Sequence, residues 1–183
     1  MIRNIIIIVM VIPLNLSMGC EKNRTEVVID PEFENIKADY ITFGSTHYLS
    51  RQGIREALIV ADTAYFFNDS TIVILRGGVT LTAYNKDLGT EKAVVTSDRG
   101  RLNTSENYIV AQENAVLLIT GDGRRIESSE LNYHQDQDRI WSDSSTTMYE
   151  GNSIVEGSGF DADLNFDQVG VRNARTRGGT VRF

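Results

Sequence analysis

From about residue 38 onward, apolar side chains recur at alternate positions in short runs, and clusters of Asn, Asp, Gly and Ser separate the runs. The runs include REALIVADTAYFF, TIVIL, VTLTAY, KAVVTSD, NYIVA, AVLLIT, RIESSELNYH, DRIWSD, TTMYE and SIVEGSGF. A period of two in segments rich in Val, Ile, Thr, Tyr and Phe predicts half-buried β-strands. No longer window carries a 3.6-residue period with caps, so helices are not expected. Turns are predicted at Asn68-Asp69, Arg76-Gly77-Gly78, Thr104 to Asn107, Gly121-Asp122-Gly123, Asp136-Gln137-Asp138 and Gly151-Asn152. The segments between strands are too short for the crossover helices of a parallel sheet.

The strands repeat. Phe66, Leu102, Tyr133 and Leu164 occupy corresponding places at intervals of 36, 31 and 31 residues, each four residues after Asp62, Asp98, Ser129 or Phe160. A strand begins after each, near Ile72, Ile109, Ile140 and Val169. A unit of two or three strands that recurs at this period stacks on its neighbours to bury its apolar face. The fold expected is therefore all-β, an elongated antiparallel jellyroll or partly open sandwich. The inward candidates are Ile59, Phe66, Ile74, Leu81, Val95 and Leu102 in the first half, and Val110, Leu118, Ile126, Tyr133, Met148 and Ile154 in the second. By alternation alone, such residues can fill a core as readily as they line a passage.

The N-terminus differs. Arg3 precedes an apolar run from Ile5 to Met18 that contains Pro13 and ends at Leu16-Ser17-Met18-Gly19-Cys20. That run is shorter than the roughly 20 residues a spanning helix needs and matches the apolar core of a signal peptide. The sequence up to the cysteine resembles a bacterial lipobox, which implies lipidation at Cys20; a short uncleaved anchor and a plain secreted protein are the alternatives. The expected organisation is a signal peptide over 1–19, a lipidated N-terminus and tether over 20–38, and a β-jellyroll over 39–183.

The formal net charge of −7 and the lack of a Lys/Arg cluster argue against nucleic acid as a partner. One cysteine excludes an internal disulfide framework and multi-cysteine metal sites. The two histidines, His47 and His134, lie outside any nucleophile-elbow pattern, and an enzyme is not expected. Asp161, Asp163 and Asn165 superficially match a calcium loop, but Phe166 stands where the loop needs glycine and Arg172 where it needs glutamate. No metal or cofactor is expected. Arg175 and Arg177 share one face of a C-terminal strand, as a solubilising edge or a contact for an anionic head group.

Taken in order, three segments resemble the LptC family of lipopolysaccharide-export proteins. SRQGIREALIVADTAYF resembles the family's opening pattern through Gly53, Ala61, Ala64 and Phe66. GDGRRIESSELNYHQDQDRIWSD resembles its central hairpin, and TMYEGNSIVEGSGFDADLNF its late signature, borne by Gly157, Gly159 and Phe160. The resemblance covers about Ile41 to Gly178. It implies a twisted jellyroll of the OstA type on the periplasmic side of the inner membrane. Such a protein takes lipopolysaccharide from an inner-membrane ABC transporter and passes it to a bridging periplasmic OstA/LptA-like protein. The apolar positions named above would then line the acyl-chain path. Where the best-known members carry a spanning helix, this chain carries Cys20, so no regulatory role of such a helix is transferred. The alternative is a structural or adaptor envelope lipoprotein with a filled sandwich core and no lipid cargo.

Overall fold

The computed structural model describes residues 37–177. The predicted signal peptide, Cys20 and nearly all of the predicted tether lie outside the described residues. The described chain forms twelve antiparallel strands: β1 (Tyr40–Arg51), β2 (Ile54–Phe66), β3 (Ile72–Tyr84), β4 (Glu91–Asn103), β5 (Tyr108–Ile119), β6 (Arg125–His134), β7 (Arg139–Ser142), β8 (Thr146–Glu150), β9 (Ser153–Gly157), β10 (Gly159–Asp163), β11 (Val169–Arg172) and β12 (Arg175–Arg177). No helix occurs among them. β1 to β6 pair in sequence order as a meander, and the sheet then forks. Asn132–His134 of β6 pair with β7, which leads through β10 to β11. Arg125–Ser128 of the same strand pair with β8, which leads through β9 to β12. Ser142, fully buried at the fork, places its hydroxyl 2.8 Å from that of Ser128 and ties the two branches together.

The long strands do not run straight. Pairing lapses at one level across the meander: at Gly44 in β1, Ala61-Asp62 in β2, Gly77-Gly78 in β3, Ser97-Asp98 in β4, Glu113-Asn114 in β5 and Ser129 in β6. Bulges of this kind turn corners where strands pass from one layer to another. The odd strands supply left-handed backbone at the corner, at Gly44, Gly77, Gly78, Glu113 and Asn114. The even strands supply polar partners. Asp98 accepts a 2.6 Å hydrogen bond from Asn114, and Arg99 pairs with Glu113 at 3.0 Å. The side chain of Asp62 lies against Gly77.

Arg76-Gly77-Gly78 was expected to be a turn between two strands. It is a bulge inside the single strand β3, and Glu113-Asn114 similarly joins two expected strands into β5. The reason is cooperative: the neighbouring strands continue past this level on both sides, so the local break bends the chain without reversing it.

The seam folds the sheet over on itself. Val79, Leu81 and Val95 from one side of it face Ile109, Leu131, Tyr133 and Ile140 from the other across a shared interior. Ile59, Leu75, Leu102, Leu117, Ile126 and Phe160 are fully buried in the same cluster. The repeat in the sequence is this construction: one hairpin per unit, with Asp62, Asp98 and Ser129 at the corner of successive even strands.

Glycines seat the close approaches. At Gly77, φ is +71°, and an added Cβ would lie 2.9 Å from the Asp62 Cβ. At Gly157 a Cβ would collide with the Arg172 carbonyl and the Val171 side chain of β11, and at Gly159 with the Arg172 guanidinium. Gly157→Ala meets backbone that cannot move aside, whereas Gly159→Ala meets the end of a flexible side chain. Gly77→Ala and Gly157→Ala are each expected to lower unfolding free energy by roughly 1 to 3 kcal/mol. Gly159→Ala should cost visibly less, and urea denaturation of the three variants checks that order.

Candidate functional site

The interior between the two halves is the first candidate. Of the expected inward residues, Ile59, Leu81, Val95, Leu102, Ile126, Tyr133 and Met148 are buried there, and Phe66 packs against them half-buried. Ile74, Val110, Leu118 and Ile154 are corrections, because all four lie on the opposite face. Their neighbours Val73, Leu75, Ile109, Leu117, Ile119 and Val155 take the inward places, and Leu118 is 45% exposed. Segments such as TIVIL and AVLLIT are apolar at both parities, so composition does not say which set faces in.

The acyl-chain path that the resemblance implies is not an open channel in this structure. The enclosed void between Val79, Val95, Ile109 and Tyr133 measures about 10 Å³. That is room for about one water and far less than an acyl chain occupies. In this conformation the interior is a packed core rather than an open slot.

The rims of the interior differ in chemistry. At the β1 rim, Tyr40 stacks on Phe66 with ring centroids 4.7 Å apart, and the His47 ring lies 5.7 Å from Phe66. His47 shares a 2.8 Å hydrogen bond with Ser45, and burial lowers its pKa. Around it, β1 exposes Tyr40, Ile41, Phe43 and Tyr48. This strand pairs with β2 along one side and bears no charge from Tyr40 to Ser50. Long edge strands are normally guarded by charge, and this one is not. The other free edges, β11 and β12, are short and carry Arg172, Arg175 and Arg177.

A second rim lies where the hairpin tips of β1–β2 and β5–β6 meet loops of the other half. The ladder slips between Leu49 and Ser50, and this bulge buries Glu56 beside Ala57. Gln135, itself buried, donates a hydrogen bond from Nε2 to the Glu56 carboxylate. Lys86 reaches the Glu56 carboxylate at 3.2 Å, and Arg51 reaches the same carboxylate at 3.6 Å. Arg51 also donates to the Gln135 carbonyl at 2.7 Å and to Asp136 at 3.1 Å. Farther along, Arg124 donates to the Phe166 carbonyl at 3.1 Å. Burial opposes ionisation of Glu56. The hydrogen bonds from Gln135 and Lys86, with the fields of Lys86 and Arg51, outweigh that effect and hold its carboxyl below the usual range. Burial lowers the pKa of nearby Lys92 and raises that of Tyr133.

No signal in the alternation singled out Glu56, because its parity matches the solvated positions Ile54 and Val60. The one available hint was a carboxylate three residues past the hairpin glycine Gly53, directly before the apolar run Ala57 to Ala61.

The remaining candidates are structural. Gly53, with Gln52, forms the β1–β2 turn with positive φ at both positions, as a tight hairpin requires. Asp161 pairs with Arg139, and Asp163 accepts from the backbone amides of Asn165 and Gln168 across the β10–β11 turn. Among the described residues, no group of His, Cys, Asp and Glu could hold a metal ion. His134 lies against Tyr108, with ring centroids 5.7 Å apart.

The described residues thus form an apolar interior enclosed by a corner-folded meander, and among them β1 and β11 each pair along one side only. The profile of the family described as lipopolysaccharide-assembly, LptC-related, matches residues 6–177. The chain belongs to the LptC family. Among solved structures, it is similar to LptH of Pseudomonas aeruginosa, described as the LptA-homologous periplasmic component of a conserved lipopolysaccharide transport device. The TM-score is 0.54 at 13% identity, over 68% of this chain and 95% of that one, which shows a shared jellyroll fold. No curated protein matches in sequence. Within the LptC signature, Gly157 and Gly159 now have a physical role as the points where β11 crosses close by.

A carboxylate held below its usual pKa adds stability that is complete above the unfolded value, about 4.3, and is lost as pH falls through the folded one. The excess melting temperature of the unmodified protein over Glu56→Gln should therefore be constant above about pH 6 and shrink steadily toward pH 3. Paired thermal melts across that range check the sign.

Proposed function

We propose that this LptC-family chain is a periplasmic lipopolysaccharide-transport component, held at the inner membrane through lipidated Cys20. It accepts lipopolysaccharide from the ABC transporter and passes it to a bridging LptA-like jellyroll. The observation that carries this reading is the apolar interior, which runs from β2 to β6 between halves joined along the seam. Each methylene moved out of water contributes about 0.8 kcal/mol. A twelve-carbon chain left in water therefore costs on the order of 10 kcal/mol, and a multi-chain lipid cannot cross an aqueous space unaccompanied. When the halves part, acyl chains replace the contacts that the closed core makes with itself, so loading exchanges one apolar environment for another. The work of transport comes from the transporter, and no chemical step is required of this chain.

One observation favours the alternative, an envelope scaffold with a filled core: the interior void is about 10 Å³. Photo-crosslinking separates the two. A photoreactive residue at inward Leu102 or Leu117 should capture lipopolysaccharide in cells, while one at outward Leu118 should not. Equal labelling at Leu117 and Leu118, or none at the inward positions, favours the scaffold. The mass of the mature N-terminus in the same preparation reads whether Cys20 carries its lipid.

The two ends of the sheet give the hand-over a direction. The uncharged β1 edge, which follows the tether, receives the transporter's periplasmic part, and the arginine-bearing β11 and β12 edges face the bridging protein. Phe43 is exposed on β1, so Phe43→Lys leaves the fold intact and adds a charge where a strand must dock. Co-purification with the transporter should fall by about tenfold, the effect of one like-charge or desolvated contact. Co-purification with the bridging protein should be unchanged.

A further inference from the structure

We propose that Arg51, Glu56 and Gln135 form a latch on the interior, which holds the rim shut in the empty protein and must part before an acyl chain enters. The inference rests on the carrier reading above and adds to it the residues that control access.

Four observations carry it. First, the cluster bridges the two halves. Arg51 and Glu56 belong to the β1–β2 hairpin tip, whereas Gln135 and Asp136 belong to the β6–β7 loop. Second, the middle of the apolar row nearest this tip is small. Ala57, Ala83 and Ala93 stand side by side across β2, β3 and β4, between Leu49 of β1 and Ile119 of β5. Alanine methyls offer little area to hold two layers together, so polar contacts take a larger share of closure at this stretch of the rim. Third, the closed state is incompletely satisfied. The Gln135 Oε1 atom is buried and has no hydrogen-bond partner. A buried acceptor without a partner disfavours the closed form, and parting the rim would give it water. Fourth, the latch can be reached from outside. The side chains of Arg51, Lys86 and Asp136 are 39%, 45% and 55% exposed, whereas that of Glu56 is 6% exposed.

The chemistry separates this cluster from the rest of the interior. Contacts among Leu81, Val95, Ile109 and Tyr133 can be exchanged for contacts with a fatty chain of the same character. The hydrogen bonds among Arg51, Glu56 and Gln135 cannot, because a hydrocarbon offers no donor or acceptor. An arriving lipid thus meets one barrier that its own tail does not compensate. A buried ion pair is weak evidence for a purely stabilising role, since apolar residues of similar size often serve stability as well.

The test measures how fast the full-length protein, carrying a photoreactive residue at Leu102, is labelled by purified lipopolysaccharide. Glu56→Ala should raise the initial rate by about tenfold, as loss of a charge-assisted contact implies. Asp136→Asn, at the exposed outer end of the cluster, should raise it roughly two- to threefold with an unchanged melting temperature. If Glu56→Ala does not fold, Asp136→Asn decides alone. A purely structural role would lower the melting temperature of Glu56→Ala and leave both rates at the unmodified value, which overturns the latch while the carrier reading stands. Labelling in Glu56→Ala but not in the unmodified protein would support the latch in its strongest form. No labelling in any of the three proteins overturns latch and carrier together.

Discussion

The bend shared by β1 to β6 is the constraint on which the structure depends. A meander with one apolar face cannot bury that face by pairing alone, because pairing satisfies the backbone and leaves the face in water. Folding the sheet along one line brings the face against itself. The line must fall at the same level in every strand, and it does, at Gly44, Asp62, Gly77-Gly78, Asp98, Glu113-Asn114 and Ser129. Left-handed backbone at Glu113 and Asn114 costs roughly 1 to 2 kcal/mol each. The Asn114–Asp98 hydrogen bond and the Arg99–Glu113 pair lie where they can offset part of that cost. Glycine meets the same need in β1 and β3 without the steric penalty.

The bend also settles how the sequence could be read. In β2, inward residues run Ala57, Ile59, Ala61 and then Ala64, so parity flips at the seam. The same flip separates Val95 from Gly100 and Leu102 in β4, and Ile126 from Leu131 and Tyr133 in β6. In β3 and β5 there is no flip. Inward positions stay odd-numbered through the bulge, from Val73 to Ala83 and from Ile109 to Ile119. A seven-residue step therefore joins two inward residues in Ile59–Phe66, Val95–Leu102 and Ile126–Tyr133, but fails for Ile74–Leu81. Strand existence and the repeat were legible because each leaves a mark in hydropathy or spacing, whereas the corners at Asp62, Asp98 and Ser129 showed only as recurring positions in that repeat. The odd-strand register was not, since Ile74, Val110 and Leu118 are as apolar as their inward neighbours. The charged rim was illegible for another reason: a one-residue slip near the hairpin tip, not its parity, buries Glu56.

A packed interior and a carrier role are compatible once the kinds of contact are separated. Eight of the buried interior residues are alanine: 57, 61, 64, 83, 93, 111, 115 and 162. Small inward side chains let two layers approach closely, and they also limit how much apolar area closure removes from water. A carrier that is shut when empty avoids presenting a greasy slot to the periplasm, where it would aggregate or take up the wrong amphiphile. Under the proposed function, an alanine-rich interior would leave a competing lipid less apolar contact to replace.

The two edges follow the same logic. A free β-edge is a template for any strand of matching register, so a protein with two free ends risks adding to copies of itself. Here the ends differ. β1 offers a long uncharged edge with exposed Tyr40, Phe43 and Tyr48, whereas β11 and β12 are short and bear Arg172, Arg175 and Arg177. Strand addition at β1 would be driven by backbone pairing and aromatic burial. At the other end, the arginines impose a condition on the partner, since a strand without acceptors for them would leave charge desolvated at the junction. A sheet whose ends demand different chemistry selects different neighbours, and under the proposed function that difference would by itself give a lipid path its direction.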